Sequence, residues 1–216
     1  MAGGTDSLRK GARRRQEIIE AAAEIIVAEG PGAVTHRGVA ARAGCSLSAT
    51  TYYFSGIDEL LEAAGAHLVG RWAEQAERVR DDHSTTADSA PVGARDSAGD
   101  LDAAQARGAR RDAAQARGAR MADVVGAVLA ALLPPDGEVR GHYQQLLMAG
   151  ASPALARAYQ AGRGRLDAAI SDLLAQVGSD CPGPLAVAVV DGAVVSALSE
   201  GRDVRKTATD LLRHVV

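Results

Sequence analysis

Apolar residues recur at three- and four-residue steps along most of this chain, which is the spacing of one face of an α-helix. The first such stripe holds Ile18, Ala22, Ile25 and Ile26, and it ends at Gly30-Pro31-Gly32. A second, longer stripe runs from Ile57 to Trp72 and predicts a helix over about 57–80. The pattern therefore predicts an all-α protein.

Two short helices are predicted between these stripes. Thr35 is placed to cap the first, and Gly44 stands where that helix must end. Ser46 is placed to cap a second helix over about 47–53. Two short helices separated by three or four residues that include a glycine predict a helix-turn-helix.

Helical spacing returns in the C-terminal half. It covers 121–133, then about 138–148 with Val139, Tyr143, Leu146 and Leu147 inward, and then 153–177. The valine-rich segment from 185 fits either a strand or a helix, and we favour a helix that is apolar on more than one face, because no second strand is available to pair with it. A last amphipathic helix follows from 204.

Residues 81–120 differ in kind, since Val92 and Leu101 are their only large aliphatic residues. The segment DAAQARGAR occurs at 102–110 and again at 112–120. This repeat is too short, and its copies are too few, for a solenoid. Two interpretations stay open: an inserted loop that is flexible or partly helical, and a helix weakened at Gly108 and Gly118. We favour the flexible insertion.

Charge is uneven along the chain. The 216 residues carry a net charge of −3, which does not indicate a bulk polyanion binder, yet the first 15 include five basic residues and one acid. We expect a flexible basic tail over 1–12 and phosphate or minor-groove binding by Arg13, Arg14 and Arg15, with a solubilising tail as the alternative.

Cysteine usage and the N-terminal composition predict a cytoplasmic protein without membrane contact. Cys45 and Cys181 are too few and too distant for a disulfide framework, and the first residues contain no apolar run for secretion or membrane insertion. The five histidines show no metal-ligand spacing, so we expect neither a metal nor another cofactor.

The segment 46–53 has the composition of a helix that reads the major groove of DNA. Half of the six aromatic residues stand together at its end, as Tyr52, Tyr53 and Phe54. Hydroxyl side chains and tyrosines donate to phosphates and base edges, and small apolar ones contact thymine methyl groups. The alternative is that one tyrosine and Phe54 pack beneath the next helix.

The run THRGVAARAGCSLSATTYYFSGIDELL resembles the DNA-binding domain of TetR-type bacterial transcriptional repressors. Its motif positions are Thr35, Arg37, Val39 and Ala40, then Ala43, Gly44, Cys45 and Ser46, then Tyr52, Tyr53 and Phe54. Two departures are Ala49, where the family commonly has a hydroxyl residue, and Ile57-Asp58, where many members have Lys-Glu.

The resemblance implies a helix-turn-helix domain over 13–56 and a helical ligand-binding and dimerisation domain over 57–216. It implies phosphate contacts from Thr35 and Tyr52 and a phosphate or base contact from Arg37. The full predicted DNA-binding set is Thr35, Arg37, Ser46, Leu47, Ser48, Ala49, Thr50, Thr51, Tyr52 and Tyr53, with Arg13, Arg14 and Arg15.

A short reading helix contacts few base pairs, so a twofold dimer on an inverted repeat is expected. The last two helices are the predicted interface, with monomer core as the alternative; the candidates are Val187, Val190, Gly192, Val194, Leu198, Val204, Leu211, Leu212 and Val215. The resemblance also implies a small-molecule effector among the middle helices. Its candidate lining is Trp72, Tyr143, Leu147 and Tyr159, residues that fit a core equally well.

These features predict a ligand-responsive regulator, most simply a repressor that a small molecule releases from double-stranded DNA. An enzyme is not expected, because the chain lacks the nucleophile elbow, zinc-protease, phosphate-loop and dinucleotide motifs. The alternative function is an architectural or protein-interaction bundle that has lost sequence-specific DNA reading.

Overall fold

The computed structural model describes residues 3–88 and 103–216, with side chains over 9–85 and 107–216. Within these ranges the chain is all-α, as predicted. The helices are α1 (Gly3–Glu29), α2 (His36–Arg42), α3 (Leu47–Tyr53), α4 (Ile57–Asp88), α5 (Ala103–Leu132), α6 (Val139–Ala149), α7 (Pro153–Ala175), α8 (Gly183–Glu200) and α9 (Val204–Leu212). A 3-10 helix, Pro31–Ala33, follows α1.

The chain divides into two compact units. The first comprises 1–73 and 134–165, and the second comprises 74–133 and 166–216. Helices α4 and α7 contribute residues to both units. This division differs from the boundary predicted at residue 56, because α6 and the beginning of α7 pack with the N-terminal helices.

The first unit is built on the predicted stripe of α1. Ile18, Ala22, Ile25 and Ile26 are all buried, as predicted from their spacing. They share one core with Phe54, Leu60, Leu68 and Leu155, so α1 and α4 support the short helices α2 and α3 from beneath. The helix-turn-helix therefore stands on a rigid apolar base.

Two predictions of flexibility differ from the structure. The tail predicted over 1–12 is helical from Gly3, because α1 extends towards the N-terminus by one hydrogen bond per added residue. In the predicted insertion over 81–120, residues 81–88 belong to α4 and 103–120 belong to α5, while 89–102 lie outside the described residues. Alanine, glutamine and arginine are strong helix formers, and their helix propensity offsets the unfavourable propensity of Gly108 and Gly118.

Helices α4 and α7 approach closely within the first unit, and glycines make this possible. A Cβ atom at Gly65 would lie 2.5 Å from Leu155 Cδ1 and 2.9 Å from Ala158 Cβ. A Cβ atom at Gly162 would collide with the side chain of Val69. The two glycines thus allow the helices to pack almost backbone to backbone.

We expect Gly65→Ala to lower the free energy of unfolding by about 1–3 kcal/mol, because Ala158 Cβ is fixed to its backbone and the helices must move apart. Gly70→Ala is the matched control on the same helix, since a Cβ atom there meets nothing within 4 Å. The control should raise stability by about 0.5–1 kcal/mol through helix propensity. Urea unfolding measures both, and equal gains in the two variants would contradict the close approach.

The second unit confirms a helix over the ambiguous segment from 185. Helix α8 ends at Gly201, whose φ of 68° is a left-handed C-cap. Asp203 caps α9 by accepting a hydrogen bond from the Lys206 backbone N–H at 2.7 Å. Among the described residues α8 has the length and mean hydropathy of a membrane span, a weak match that core helices of soluble proteins also give.

Candidate nucleic-acid interface

Local hydrogen bonds define the turn between α2 and α3, and each cap predicted from sequence is confirmed. Thr35 Oγ1 accepts from the Gly38 backbone N–H at 3.0 Å, and Ser46 Oγ accepts from the Ala49 N–H at 3.2 Å. Gly44 has φ +60° and the Cys45 N–H donates to the Ala40 carbonyl at 3.0 Å. This is a Schellman ending, and it needs a residue that tolerates the left-handed region.

The capping hydroxyls keep a proton for another partner. Thr35 uses an acceptor lone pair in its cap, so its O–H remains able to donate to a phosphate. Ser46 Oγ and Ser48 Oγ are 2.9 Å apart and share one hydrogen bond, which leaves one donor of the pair for DNA. The N-terminal end of α3 therefore presents hydroxyl donors as well as its own backbone N–H groups.

One face of α3 is exposed. It consists of Leu47, Ser48, Thr51 and Tyr52, which are spaced to lie on one side of a two-turn helix. Tyr52 is 82% exposed, so its ring and its hydroxyl are both accessible to a partner. We call these four residues the α3 face.

Thr50 is a correction to the predicted groove-facing set. It is fully buried, its hydroxyl donates to the Leu47 carbonyl at 2.8 Å, and its Oγ1 lies 3.2 Å from His36 Nδ1. A two-turn helix must turn one side to the core, and Thr50 lies on the side of buried Phe54, four residues further on. Ala49 is only partly exposed, beside this inner side.

The tandem tyrosines have different environments. Their rings meet edge to face with centroids 5.0 Å apart, but Tyr53 is half-buried and packs against the core of the first unit. Tyr52 alone of the pair stands in solvent. Phe54 is 1% exposed, which confirms its predicted packing beneath the next helix.

The arginines predicted as a basic arm lie within α1. Arg13 and Arg14 pair with Glu17 at 3.5 and 2.7 Å, and the Arg15 guanidinium stacks 4.9 Å from the centroid of the Phe54 ring. They are therefore presented from a helix rather than from an extended arm. Arg37 is exposed on α2, where it is accessible to a phosphate or a base.

A carboxylate within the first turn of α4 accepts hydrogen bonds from a residue just before the helix. Glu59 Oε2 accepts from both the backbone N–H and the hydroxyl of Ser55, each at 2.7 Å. The pKa of Glu59 is lowered, chiefly by the hydrogen bond from the Ser55 backbone N–H, and further by the Ser55 hydroxyl and the positive charge of Arg15. Arg15 and Glu59 thus tie α1 and α4 to the end of α3.

A second group of side chains lies together in the first unit, and we call it the aromatic cluster: Trp72, His142, Tyr143, Gln145 and Tyr159. The Trp72 ring meets those of His142 and Tyr159 edge to face, each with centroids 5.1 Å apart. His142 contacts the Tyr143 ring at 5.3 Å, and Gln145 donates to the Tyr159 hydroxyl at 2.7 Å. Three of the four predicted effector residues are therefore close together.

The aromatic cluster is uncharged near neutral pH. Burial raises the pKa of Tyr159 to about 12, against the opposite effect of its hydrogen bond from Gln145. Burial also lowers the pKa of His142, which favours the neutral imidazole. The cluster thus combines neutral aromatic rings with three polar side chains, those of Gln145, His142 and Tyr159.

Leu147 does not join the cluster, because its side chain is 69% exposed. Sequence spacing placed Leu146 and Leu147 on the inner face of α6, but the buried positions are Val139, Tyr143, Gln145 and Ala149. His142 and Gln145 were missed. For His142 the only signal in the sequence was its position next to Tyr143, which was predicted to face inward. Gln145 gave no signal, because a glutamine is rarely buried unless it has a hydrogen-bond partner such as Tyr159.

The predicted dimer residues separate into buried and accessible sets. Val187, Val190, Val194 and Leu212 are buried within their own protomer, where α8 packs on α9, and are corrections to the predicted interface. Leu198 and Val204 are partly exposed, whereas Gly192, Leu211 and Val215 are exposed. Helix α8 is apolar on two sides, so its sequence period did not show which side faces the core.

The accessible side of α8 carries a stripe at helical spacing, of which only Gly192 was predicted from the sequence. Leu185, Ala188, Gly192 and Val195 recur at steps of three and four residues, and all are exposed. Leu185 is 47% and Val195 is 40% exposed. We call these four residues the α8 stripe. Exposed Leu211 and Val215 form a shorter apolar patch in the C-terminal segment.

Comparison with known proteins gives matches at both ends of the chain. The family model described as bacterial regulatory proteins, tetR family, matches residues 18–64, and that described as tetracyclin repressor-like, C-terminal domain, matches 116–216. No curated protein matches the chain. Among the described residues, no group of three or more His, Cys, Asp or Glu could hold a metal ion.

Solved structures agree over nearly the whole chain. Multidrug binding protein EbrR complexed with malachite green is 25% identical, with a TM-score of 0.59, over 94% of this chain and 98% of that one. A TetR family member from Streptomyces coelicolor A3 is 25% identical, with a TM-score of 0.52, over 94% and 98%. A transcriptional regulator from Rhodococcus sp. Rha1 shares the fold at 18% identity, with a TM-score of 0.58, over 93% and 95%.

The helix-turn-helix with its exposed α3 face and an all-helical C-terminal region define a DNA-binding transcriptional regulator. This chain belongs to the tetR family of bacterial regulatory proteins. Members of this family are transcription regulators rather than enzymes.

Proposed function

We propose that this protein is a cytoplasmic repressor that binds an inverted-repeat operator as a homodimer and is released by a small molecule. The observation that carries the proposal is the α3 face, which combines hydroxyl donors with a tyrosine that is 82% exposed at the end of a capped two-turn helix. The packing of α3 leaves the ring and hydroxyl of Tyr52 in solvent, where a partner can reach them. A duplex is the partner that this chemistry fits.

The proposed DNA contacts are of two kinds: contacts to phosphates, which position the protein on the duplex, and contacts to base edges, which read its sequence. Thr35 and Tyr52 donate to phosphates, Arg37 contacts a phosphate or a guanine, and the hydroxyls of Ser46 and Ser48 stand at the N-terminus of α3. Leu47 and Thr51 meet base edges, where Leu47 is suited to a thymine methyl group. Arg13 and Arg14 add phosphate contacts from α1, after exchange of their ion pairs with Glu17.

Two copies of the α3 face are needed, because seven residues reach only a few base pairs. We propose that the α8 stripe, with Leu211 and Val215, forms a four-helix interface with its twofold copy. Gly192 lies within this stripe and a Cβ atom there meets nothing within 4 Å, so it offers space for close helix approach. A twofold dimer would present its α3 helices to successive turns of the groove, about 34–36 Å apart.

The aromatic cluster is the proposed effector site. EbrR is a multidrug binding protein, and it has been crystallised with malachite green, proflavin and ethidium, each of which contains several aromatic rings. An uncharged cluster of Trp72, Tyr143 and Tyr159 suits ligands with aromatic rings. The effector must bind the DNA-released state more tightly than the DNA-bound one, since only this difference can shift the equilibrium.

Selection of bound fragments from random duplexes, with and without a panel of flat aromatic compounds, tests the operator and the effector together. We expect an inverted-repeat motif and release of the selected duplex by at least one compound. The control is a combined variant of the α3 face, Ser48→Ala, Thr51→Ala and Tyr52→Ala, which should select no motif. Recovery of no inverted repeat by the wild-type protein would favour the alternative function, an architectural or protein-interaction bundle. Ala49 and Ile57, which differ from the residues common in the family motif, are the sequence features that suggest this alternative.

A further inference from the structure

The segment 107–120 of α5 is exposed on every side. All residues from Arg107 to Arg120 are solvent-exposed, whereas Val124, Val125, Val128 and Leu129 further along the same helix are buried. A helix in a globular protein normally hides one face. This segment is thus a helix stabilised by its own propensity and presented to solvent, and it contains most of the duplicated sequence DAAQARGAR.

Its charge is concentrated on one side. At about 100° per residue, Arg107, Arg110, Arg111 and Arg117 fall within an arc of about 120°, and we call them the arginine stripe. Asp112 and Asp123 fall on the opposite side of the helix by the same geometry. The segment 103–120 contains five arginines and one acid in a chain whose net charge is −3.

The composition excludes most classes of partner for this face. Residues 107–120 are only alanine, arginine, glutamine, glycine and aspartate. The centre of a protein interface needs aromatic or large aliphatic anchors, an interfacial membrane helix needs an apolar face, and single-stranded nucleic acid needs aromatic stacking platforms. A second copy of the same face would bring like charges together.

Duplex DNA is the partner that these observations favour, because binding to its phosphate backbone requires only positive charge. The guanidinium group binds phosphate in a bidentate manner, and the phosphate backbone supplies sequence-independent affinity. The stripe extends about 15 Å along the helix, which is the length of about four base-pair steps. Arginines on one side of an exposed helix can therefore follow a phosphate strand without entering a groove.

We propose that the arginine stripe of α5 is a second DNA-contact surface, which binds the phosphate backbone of duplex DNA without sequence preference. It goes beyond the operator reading proposed for α3 and does not depend on it. Its effect is to raise affinity for any duplex, and so to hold the protein on DNA outside its operator.

The test measures binding to a 30-base-pair duplex of random sequence by fluorescence anisotropy between 50 and 200 mM salt. One variant replaces the stripe with glutamine (Arg107→Gln, Arg110→Gln, Arg111→Gln, Arg117→Gln), and its matched control replaces the same four residues with lysine. Arginine, lysine and glutamine have nearly equal helix propensity, so α5 is preserved, and circular dichroism checks this.

The slope of log affinity against log salt should become shallower in the glutamine variant, by about 0.9 for every phosphate that the stripe neutralises in the wild-type protein. The lysine variant should keep most of the slope, since the slope depends on the number of phosphates neutralised, and lysine carries the same positive charge as arginine. A wild-type slope in the glutamine variant would refute the proposal, as would an equally shallow slope in both variants. If random selection returns no inverted repeat while the slope of the glutamine variant is still shallower, the operator proposal fails and this one stands.

Discussion

Val195→Glu should convert the protein from a dimer to a monomer and abolish tight operator binding. Val195 is the C-terminal member of the α8 stripe, so a glutamate there would place two unpaired carboxylates in the proposed twofold interface. Each unpaired buried charge costs about 3 kcal/mol or more, which raises the dimer dissociation constant more than about 100-fold. Sedimentation equilibrium measures the dissociation constant, and anisotropy with the selected duplex measures the weakening of DNA binding.

Val27→Glu is the matched control, because Val27 is a comparably exposed valine on α1, outside the proposed interface. It should remain dimeric with an unchanged dissociation constant. Val27→Glu should keep the wild-type urea midpoint, since Val27 lies outside the core of the protomer. Val195→Glu should lower the midpoint only by the contribution of dimerisation, so its midpoint should match that of the wild-type protein diluted to a monomer. A Val195→Glu protein that dimerises as tightly as the control would place the interface elsewhere.

Tyr52→Ala should weaken operator binding by about 100-fold, at about 1.4 kcal/mol for each of the two tyrosines in a dimer. The free energy of unfolding should change by less than about 0.5 kcal/mol, because the side chain is almost fully in solvent. The salt slope should stay the same, since a tyrosine hydroxyl carries no charge. Titration of the selected duplex at several salt concentrations separates these two quantities.

Tyr53→Ala provides the contrast, because the neighbouring ring packs against the core. This variant should lower the free energy of unfolding, whereas Tyr52→Ala should not. Tyr52→Phe then divides the effect of Tyr52 between its hydroxyl and its ring. Wild-type affinity in Tyr52→Ala would remove Tyr52 from the DNA contacts and weaken the proposed role of the α3 face.

The turn of the helix-turn-helix could be predicted almost residue by residue. Thr35, Gly44 and Ser46 act on backbone groups within five residues of themselves, so their roles depend on local sequence alone. The stripe of α1 could also be predicted, because Ile18, Ala22, Ile25 and Ile26 leave only one side of the helix apolar enough for a core.

Positions with two acceptable environments could not be assigned in this way. The tandem tyrosines are chemically identical, and the packing of α3 on the core decides that Tyr52 is exposed while Tyr53 is not. Gln145 is buried only because Tyr159 accepts its hydrogen bond from another helix. The same limit applies to the repeat over 103–120, where composition allowed both a loop and a helix.

The sequence by itself determined the class of fold, the order of its helices, the caps of the reading helix and the family, because hydrogen bonds and apolar spacing within a few residues specify these features. Only the tertiary structure decided which side of α8 is accessible, which residues surround Trp72, and that the arginines of α5 lie in solvent. Those properties depend on what each helix packs against, and residues distant in the chain supply these partners.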